Sequence, residues 1–230
     1  MIKKAFTLIE IIFVVVIIGI LSAIIAPRVK RATLDEAAQQ IASHIRYTQH
    51  LALQDDKFDA SDQNWSQKRW QIFFANTTAT ASGGSNTQQM WTYTIFSDIN
   101  KDKSPQNPEV AKNPQNPYNS IMTGGYGGNI PYFLANNKVN PKIMKNMNLT
   151  KKYDITTITF SGGCINNHKR ISFDYSGRPL FDTPTLLTQK YAVNGNNKLL
   201  QTDCNITIQD SQGKTKTIVV TPETGYVYIQ

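Results

Sequence analysis

Phe6-Thr7-Leu8-Ile9-Glu10-Ile11-Ile12-Phe13-Val14-Val15-Val16-Ile17-Ile18-Gly19-Ile20-Leu21-Ser22-Ala23-Ile24-Ile25-Ala26 is the stretch whose reading decides the fold. As a helix it extends about 32 Å at about 1.5 Å per residue, close to the roughly 30 Å hydrocarbon thickness of a bilayer. Met1-Ile2-Lys3-Lys4-Ala5 stands in front of it, and a single ionisable side chain, Glu10, interrupts it. A carboxylate costs about 2.5–3.5 kcal/mol at the bilayer centre and less near the edge. Two readings of Glu10 therefore stand side by side. It snorkels to the headgroups, or it meets a partner charge supplied by another chain.

Past Pro27 the apolar pattern changes period rather than stopping. Leu34, Ala38, Ile41, Ile45, Thr48 and Ala52 recur at steps of three and four, with Arg31, Asp35, Glu36, Gln39, Gln40, Arg46 and Gln49 between them. That spacing predicts an amphipathic helix of about 20 residues. Pro27 lacks an N–H and is expected to kink or loosen the helix without ending it, because the pattern resumes at once. His44 and His50 are six apart and so fall on different faces, which a metal pair would not.

Lys3-Lys4-Ala5-Phe6-Thr7-Leu8-Ile9-Glu10, followed by an apolar block ending at Pro27, resembles the class III leader and first helix of type IV pilins and type II secretion pseudopilins. The resemblance implies that prepilin peptidase cuts between Ala5 and Phe6, that the new amino group of Phe6 is methylated, and that Glu10 serves assembly. It also implies an α+β, pilin-like fold in which a long N-terminal helix, membrane-spanning in its first half and amphipathic in its second, packs on antiparallel β-sheet. The partners it implies are other pseudopilins or pilins through that helix, inner-membrane lipid, and the assembly platform of a secretion or pilus machine. The residue before the cut is usually Gly in that family and is Ala5 here; a small side chain still fits, with slower cutting expected. A secretory signal peptide explains the stretch poorly, since its apolar core is 7–15 residues and Ala26 is followed by Pro27, with Ile24 two positions before it. An ordinary signal anchor explains neither Glu10 nor Phe-Thr-Leu-Ile.

The chain thus divides into a leader at 1–5, a transmembrane and polymerisation helix at 6–27, an amphipathic half at 28–54, and a β-rich globular domain at 55–230 with a loop insertion at about 100–150. The formal charge of +8 overstates the domain. Lys3, Lys4, Arg28, Lys30 and Arg31 flank the apolar run; from Ala32 onward 19 basic residues face 15 acidic ones, a net of about +4, a weak argument for nucleic acid. The basic group after the run partly opposes the positive-inside rule, although long domains translocate largely regardless of such charges.

Strand-like segments follow the acidic group Asp55, Asp56, Asp59 and Asp62. Arg69 to Ala75 and Met90 to Ser97 read as a hairpin with a long tip from Asn76 to Gln89. Ile155 to Phe160, Arg170 to Tyr175, Cys204 to Gln209, Lys216 to Thr221 and Gly225 to Ile229 alternate or run β-branched, and Asp210-Ser211-Gln212-Gly213 joins two of them as a hairpin. From Pro105 to Asn148 the chain is dense in Asn, Pro and Gly. Its cluster Gly124-Gly125-Tyr126-Gly127-Gly128 follows no expected strand, opens no helix and lacks the Lys-Ser/Thr of a phosphate loop. A large exposed loop, a partner-binding or variable surface, is the expectation there. Phe173-Asp174-Tyr175-Ser176-Gly177-Arg178-Pro179 and Ile218 to Val227 further resemble the GspH/FimT-like minor pseudopilins, in which a strand, a Gly-Arg turn and a closing hairpin recur.

Two constellations carry chemistry. Asp98, Asn100, Asp102 and Glu109 hold positions one, three, five and twelve of a calcium-loop spacing. Against it, Lys103 stands where the sharp turn wants Gly, Pro105 and Pro108 interrupt the loop, and no helix is expected to follow, so a polar turn after a strand competes with Ca2+ binding. Pseudopilins of the resembling kind often carry such a turn, with or without metal. Cys164 and Cys204 lie in the domain expected to be exported, where an oxidising compartment allows a disulfide. Closing a loop of about 41 residues stabilises by about 4 kcal/mol in the chain-entropy model. Two buried thiols, or half of a metal site with His168, are the alternatives.

No Ser-His-Asp order with a nucleophile elbow and no His-Glu-x-x-His motif occurs, and the chain holds three scattered histidines. The expectation is therefore a structural subunit rather than an enzyme and without a cofactor; the resemblance implies a minor pseudopilin of a type II secretion pseudopilus in the inner membrane, its domain in the periplasm, supporting protein secretion. A minor type IV or competence pilin that helps take up DNA is the alternative, and a membrane-anchored periplasmic enzyme a distant third.

Overall fold

The computed structural model describes residues 7–78, 89–127, 129–134, 138–164, 167–181 and 199–230, with side chains described throughout except at 23–32. Ala5 and Phe6, the expected cleavage site, lie outside the described residues.

Helix α1 runs Leu8–Gln54 as one element of 47 residues, about 70 Å of rise. Its backbone stays helical through Pro27, as the resumed periodicity predicts. Leu34, Ala38, Ile41, Ile45, Thr48 and Ala52 are all buried, joined by Ala37 and Ala42. Small residues interleaved with Ile allow strands to approach the helix closely, and the Thr48 hydroxyl is satisfied by donating to the His44 carbonyl at 2.8 Å.

This stripe lies against two antiparallel sheets. β1 (Trp70–Thr78), β2 (Gln89–Ser97), β4 (Arg170–Phe173) and β5 (Pro179–Leu180) form the first in the order β2-β1-β4-β5. β3 (Ile155–Gly162), β6 (Cys204–Asp210), β7 (Thr215–Val220) and β8 (Val227–Ile229) form the second in the order β3-β6-β7-β8. α1 touches β1 and β4 of one sheet and β7 and β8 of the other. One core accordingly joins Ile41 and Ile45 to Ile72, Phe74 and Tyr93 on one side and to Ile206, Ile218 and Val220 on the other. β6 alternates buried and half-buried residues as a strand with one covered face does. Asp210 caps its hairpin, Oδ1 accepting from the Gln212 and Lys214 amides at 2.9 Å.

The insertion differs from the exposed loop its composition suggests. Phe96, Val110, Ile121, Ile130 and Ile143 form a second, smaller core with Phe73, Tyr132 and Val139 packed on it. Its backbone is hydrogen-bonded along the outer edge of β2: Ile95 N–H to Met122 O at 3.0 Å, Ala111 N–H to Ile95 O at 2.9 Å, and Gly124 N–H to Tyr93 O at 3.0 Å. Irregular chain thus covers a sheet edge that would otherwise offer a row of unpaired groups. That covering explains why β2 is buried at every position after Gln89. Gly124 is required for the fit, since a Cβ there would lie 2.3 Å from the Met147 carbonyl oxygen. A short helix, α2 (Leu149–Tyr153), closes the insertion, its N-cap Asn148 accepting from the Lys151 amide. Of the expected hairpin tip, residues 79–88 lie outside the described residues, as does Gly128 of the glycine cluster.

No helix among the described residues is long and apolar enough to cross a membrane.

Candidate functional site

The first candidate site is the start of α1. Every large apolar side chain described there is exposed, from Leu8 at 78% to Ile17 at 41%, and Glu10 is the sole charge among residues 8–22. Glu10 is not without company in its own chain. Thr7 is the extended N-cap, and its amide and hydroxyl donate to Glu10 Oε2 at 3.4 and 3.5 Å. Thr-x-x-Glu before an apolar run is the capping-box signature, a local role that reading Glu10 as a stray membrane charge overlooks. Both bonds are long, so the carboxylate keeps accepting capacity for a further donor.

At the other end, α1 is clamped to the domain by polar side chains. Arg46 Nη2 donates to Val227 O at 2.6 Å, and Gln49 Nε2 donates to Gly177 O at 2.7 Å and Thr224 O at 2.8 Å. Gly177 and Gly225 hold φ of +78° and +62°, and a Cβ on Gly225 would come within 2.7 Å of Gln49 Nε2. The Gly-Arg turn is locked from within by Asp174, whose Oδ1 accepts the Ser176 and Arg178 amides and whose Oδ2 accepts Arg178 Nε at 2.7 Å. The Gly-Arg turn and the closing hairpin meet on one face of α1.

Above this clamp, His44 Nδ1 lies 2.7 Å from the Tyr93 hydroxyl, which also accepts from Gln40 Nε2 at 2.6 Å. Burial holds the imidazole down, to about 4 from its usual 6.5, and pushes the Tyr93 hydroxyl up. His50 sits exposed on another face.

The acidic turn follows β2. Carboxylate oxygens of Asp98, Asp102 and Glu109 lie within 4.8 Å of one another. Asn100 sits among them, its amide donating to Glu109 Oε1 at 2.9 Å and its side-chain oxygen accepting the Asp102 amide at 3.1 Å. Asp98 and Glu109 are buried, Asn100 and Asp102 exposed. Lys103 adopts φ of +71°, so the left-handed turn for which Gly was wanted is made by a lysine. Glu109 closes a single 3-10 turn, Asn107–Glu109, where no helix was expected, and its Oε2 accepts the Gln106 amide at 3.2 Å. Lys101 is drawn out of the turn to Asp62 at 2.8 Å, which also holds Lys68 at 2.7 Å. Those two ammonium groups keep the Asp62 carboxyl well below the usual carboxylate range.

Cys164 and Cys204 are bonded, with 5.0 Å between Cα atoms, and tie the segment after β3 to the start of β6.

A family model described as the prokaryotic N-terminal methylation motif matches residues 1–26. No curated protein and no solved structure matches the chain. The match covers the stretch in which Lys3-Lys4, the small Ala5, Phe6 and Glu10 stand in order ahead of an exposed apolar helix. The chain carries a type IV pilin-like prepilin leader.

Proposed function

We propose that this protein is a minor pseudopilin, a structural subunit of a type II secretion pseudopilus. The observation that carries the reading is a methylation-type leader on a helix whose first half exposes apolar side chains on every side and whose second half is welded into a folded domain. In this reading the precursor spans the inner membrane through residues 6–27 with the domain in the periplasm. Prepilin peptidase removes residues 1–5, and the helix from Phe6 packs beside those of other pilin-type subunits. Glu10 gives up its long bonds to Thr7 and pairs with the amino group of a neighbouring Phe6. The pairing removes two isolated charges from lipid at once and fixes the axial register, a role polar groups play in otherwise apolar contacts. The domain performs no catalysis; it selects partners.

Glu10→Ala tests this reading. The full chain is expected to stay inserted, with the melting temperature of its domain within about 1 °C of the parent, while fibre incorporation and secretion are lost. Normal fibres in that variant overturn the pairing. Ala5→Leu is expected to accumulate the uncut precursor on a gel. The competence-pilin alternative is read from a DNA shift assay on the full chain in detergent micelles: binding that falls steeply with salt replaces the secretion role with DNA uptake.

A further inference from the structure

We propose that the open edge of β1, from Phe74 to Thr78, takes up an extended segment of another polypeptide that carries a carboxylate, adding a strand to the first sheet in line with β4. The inference goes beyond the pilin-type reading and stands on the sheet alone, so it holds whether or not the chain joins a fibre.

β1 is 9 residues long and its neighbour β4 only 4. β4 therefore covers one end of that edge, pairing Arg170, Ile171 and Ser172 with Phe73, Ile72 and Gln71. The last bond across it runs from the Phe74 amide to the Lys169 carbonyl at 2.9 Å. Lys169 holds φ of +42°, and Asn167 and His168 lie in a turn, so the chain ahead of β4 does not continue the ladder. Successive residues of a strand offer their backbone groups to opposite neighbours. Phe74, Asn76 and Thr78 thus face this edge, while Ala75 and Thr77 face β2. Beyond Phe74 no backbone hydrogen bond crosses the edge among the described residues. The outer edge of β2, by contrast, is covered by the insertion. Nor does β1 carry the devices that blunt an edge, since Phe74 to Thr78 holds no charge and no proline and pairs with β2 without a bulge.

The same residues line a groove of about 660 Å3. On one face of the sheet Phe73 packs edge-on against Tyr126, ring centroids 5.7 Å apart; on the other, Asn76 and Trp91 stand opposite each other in the β1–β2 register. Side chains of an added strand alternate between the two faces, so each wall receives every second residue while the backbone bonds supply affinity. Charge narrows the guest. His168 and Lys169 line the groove and no carboxylate does; Lys169 Nζ sits over the Trp91 ring at 5.7 Å. An acidic guest fits this wall. A second copy would offer its own β1, which holds no carboxylate from Trp70 to Thr78, and would leave the basic wall unmatched. The sheet is antiparallel throughout, and an antiparallel guest runs from Thr78 toward Phe74, bringing its C-terminal end, and the carboxylate, to Lys169.

The test uses the full chain in detergent micelles and fluorescein-labelled, C-terminally amidated peptides of the pattern Thr-x-Thr-x-Thr-x-Glu, with x valine, leucine or phenylalanine, read by fluorescence anisotropy. Saturable binding of at least one peptide, above the signal of empty micelles, is expected with half-saturation below about 1 mM. Methylating alternate backbone nitrogens of the peptide separates strand pairing from side-chain contact. One alternate set should weaken binding by about tenfold or more through lost donors, and the other by less than about threefold. Lysine in place of the peptide's glutamate should weaken binding by about threefold or more at low salt. In the protein, Asn76→Pro removes an amide that faces the open edge, a position where proline is tolerated, and should abolish binding while the domain stays folded. Should that variant fail to fold, the methylated peptides decide the matter on the parent chain alone. No saturable binding of any of the peptides, or equal effects of the two methylated sets, overturns the added strand. A lysine peptide that binds as well as the glutamate one overturns the acidic guest, and a dimer of the parent chain, seen by sedimentation and dispersed by excess peptide, overturns the choice of guest in favour of a second copy.

Discussion

The two halves of α1 share one backbone and almost nothing else. From Leu8 to Leu21 every large apolar residue is exposed in the single chain; from Leu34 to Ala52 those at steps of three and four are buried between two sheets. The first half is apolar at nearly every position and has no polar face to give to water; the second has a stripe and a polar back. The difference teaches that a helix's partner is written in its period: uniform apolarity asks for lipid or like helices around it, whereas a 3.6-residue stripe asks for one packed surface.

Placing the same charge in each half breaks the comparison most sharply. Ile41 is completely buried, and Ile41→Asp leaves an unpaired carboxylate in the shared core, a loss of more than about 5 kcal/mol that unfolds the domain. Ile17→Asp should leave the melting temperature within about 1 °C, and its cost should fall on membrane insertion and assembly. Circular dichroism melts of both variants in micelles, beside membrane fractionation, check the pair; a folded Ile41→Asp domain would contradict the packing.

Reducing the Cys164–Cys204 bond sharpens the contrast, because it acts on the domain alone. It closes a loop with a separation of 40 residues, and its loss is expected to cost about 4 kcal/mol in the chain-entropy model. A melting curve run with and without reductant measures it, and the helical signal of the apolar half should not change at the reducing step.

Acidification acts on the second half only. His44 is held to about 4 by burial, below its usual 6.5, so its neutral form favours the fold. That contribution is complete above pH 6.5 and is lost as pH falls toward 4; with each pH unit between the two values worth about 1.36 kcal/mol, it amounts to about 3 kcal/mol. Asp98 works in the opposite sense over much of the same window: its carboxyl is raised to about 6, so its stabilising contribution is lost as pH rises from about 4 to about 6. The difference between the parent and His44→Gln therefore isolates the histidine. Urea melts from pH 7 to pH 4 are expected to fall more steeply for the parent, and parallel profiles would remove His44 from the account.

How legible each region is in the sequence follows the same logic of period and partner. The stripe Leu34, Ala38, Ile41, Ile45, Thr48 and Ala52 is readable because one face meets one core, and the strands from Trp70 to Ile229 are readable to within two or three residues because β-branched runs alternate against turn residues. The insertion is not readable. Its core residues Val110, Ile121, Ile130 and Ile143 are isolated between Asn, Pro and Gly, and they gain meaning only from the β2 edge they cover, which no local pattern announces. β5, two residues long, is too short to show a period. The spacing of Asp98, Asn100, Asp102 and Glu109 is visible along the chain; that Asp98 is buried, with an oxygen that has no partner among the described residues, is not, because burial is set by tertiary packing and not by local spacing. Gln49 gives no signal because a polar residue on a helix face looks the same whether it meets water or carbonyls.

Gln49 supplies the smallest and most local way to test where the second half of α1 begins to belong to the domain. Its one amide nitrogen donates to Gly177 O and Thr224 O, the carbonyls of two turns that need positive φ at Gly177 and Gly225. Removing it orphans both acceptors, but the Thr224 side of the contact reaches solvent, where water replaces part of what is lost. Gln49→Ala should therefore cost about 1–2 kcal/mol, from two bonds of about 0.5–1.5 kcal/mol each. Gln39→Ala, on the exposed back of the same helix, should stay within about 0.5 kcal/mol. Urea denaturation of the two variants gives the comparison directly. Equal effects would mean that the helix is held by its apolar stripe alone and that the meeting of the Gly-Arg turn with the closing hairpin contributes nothing to its docking.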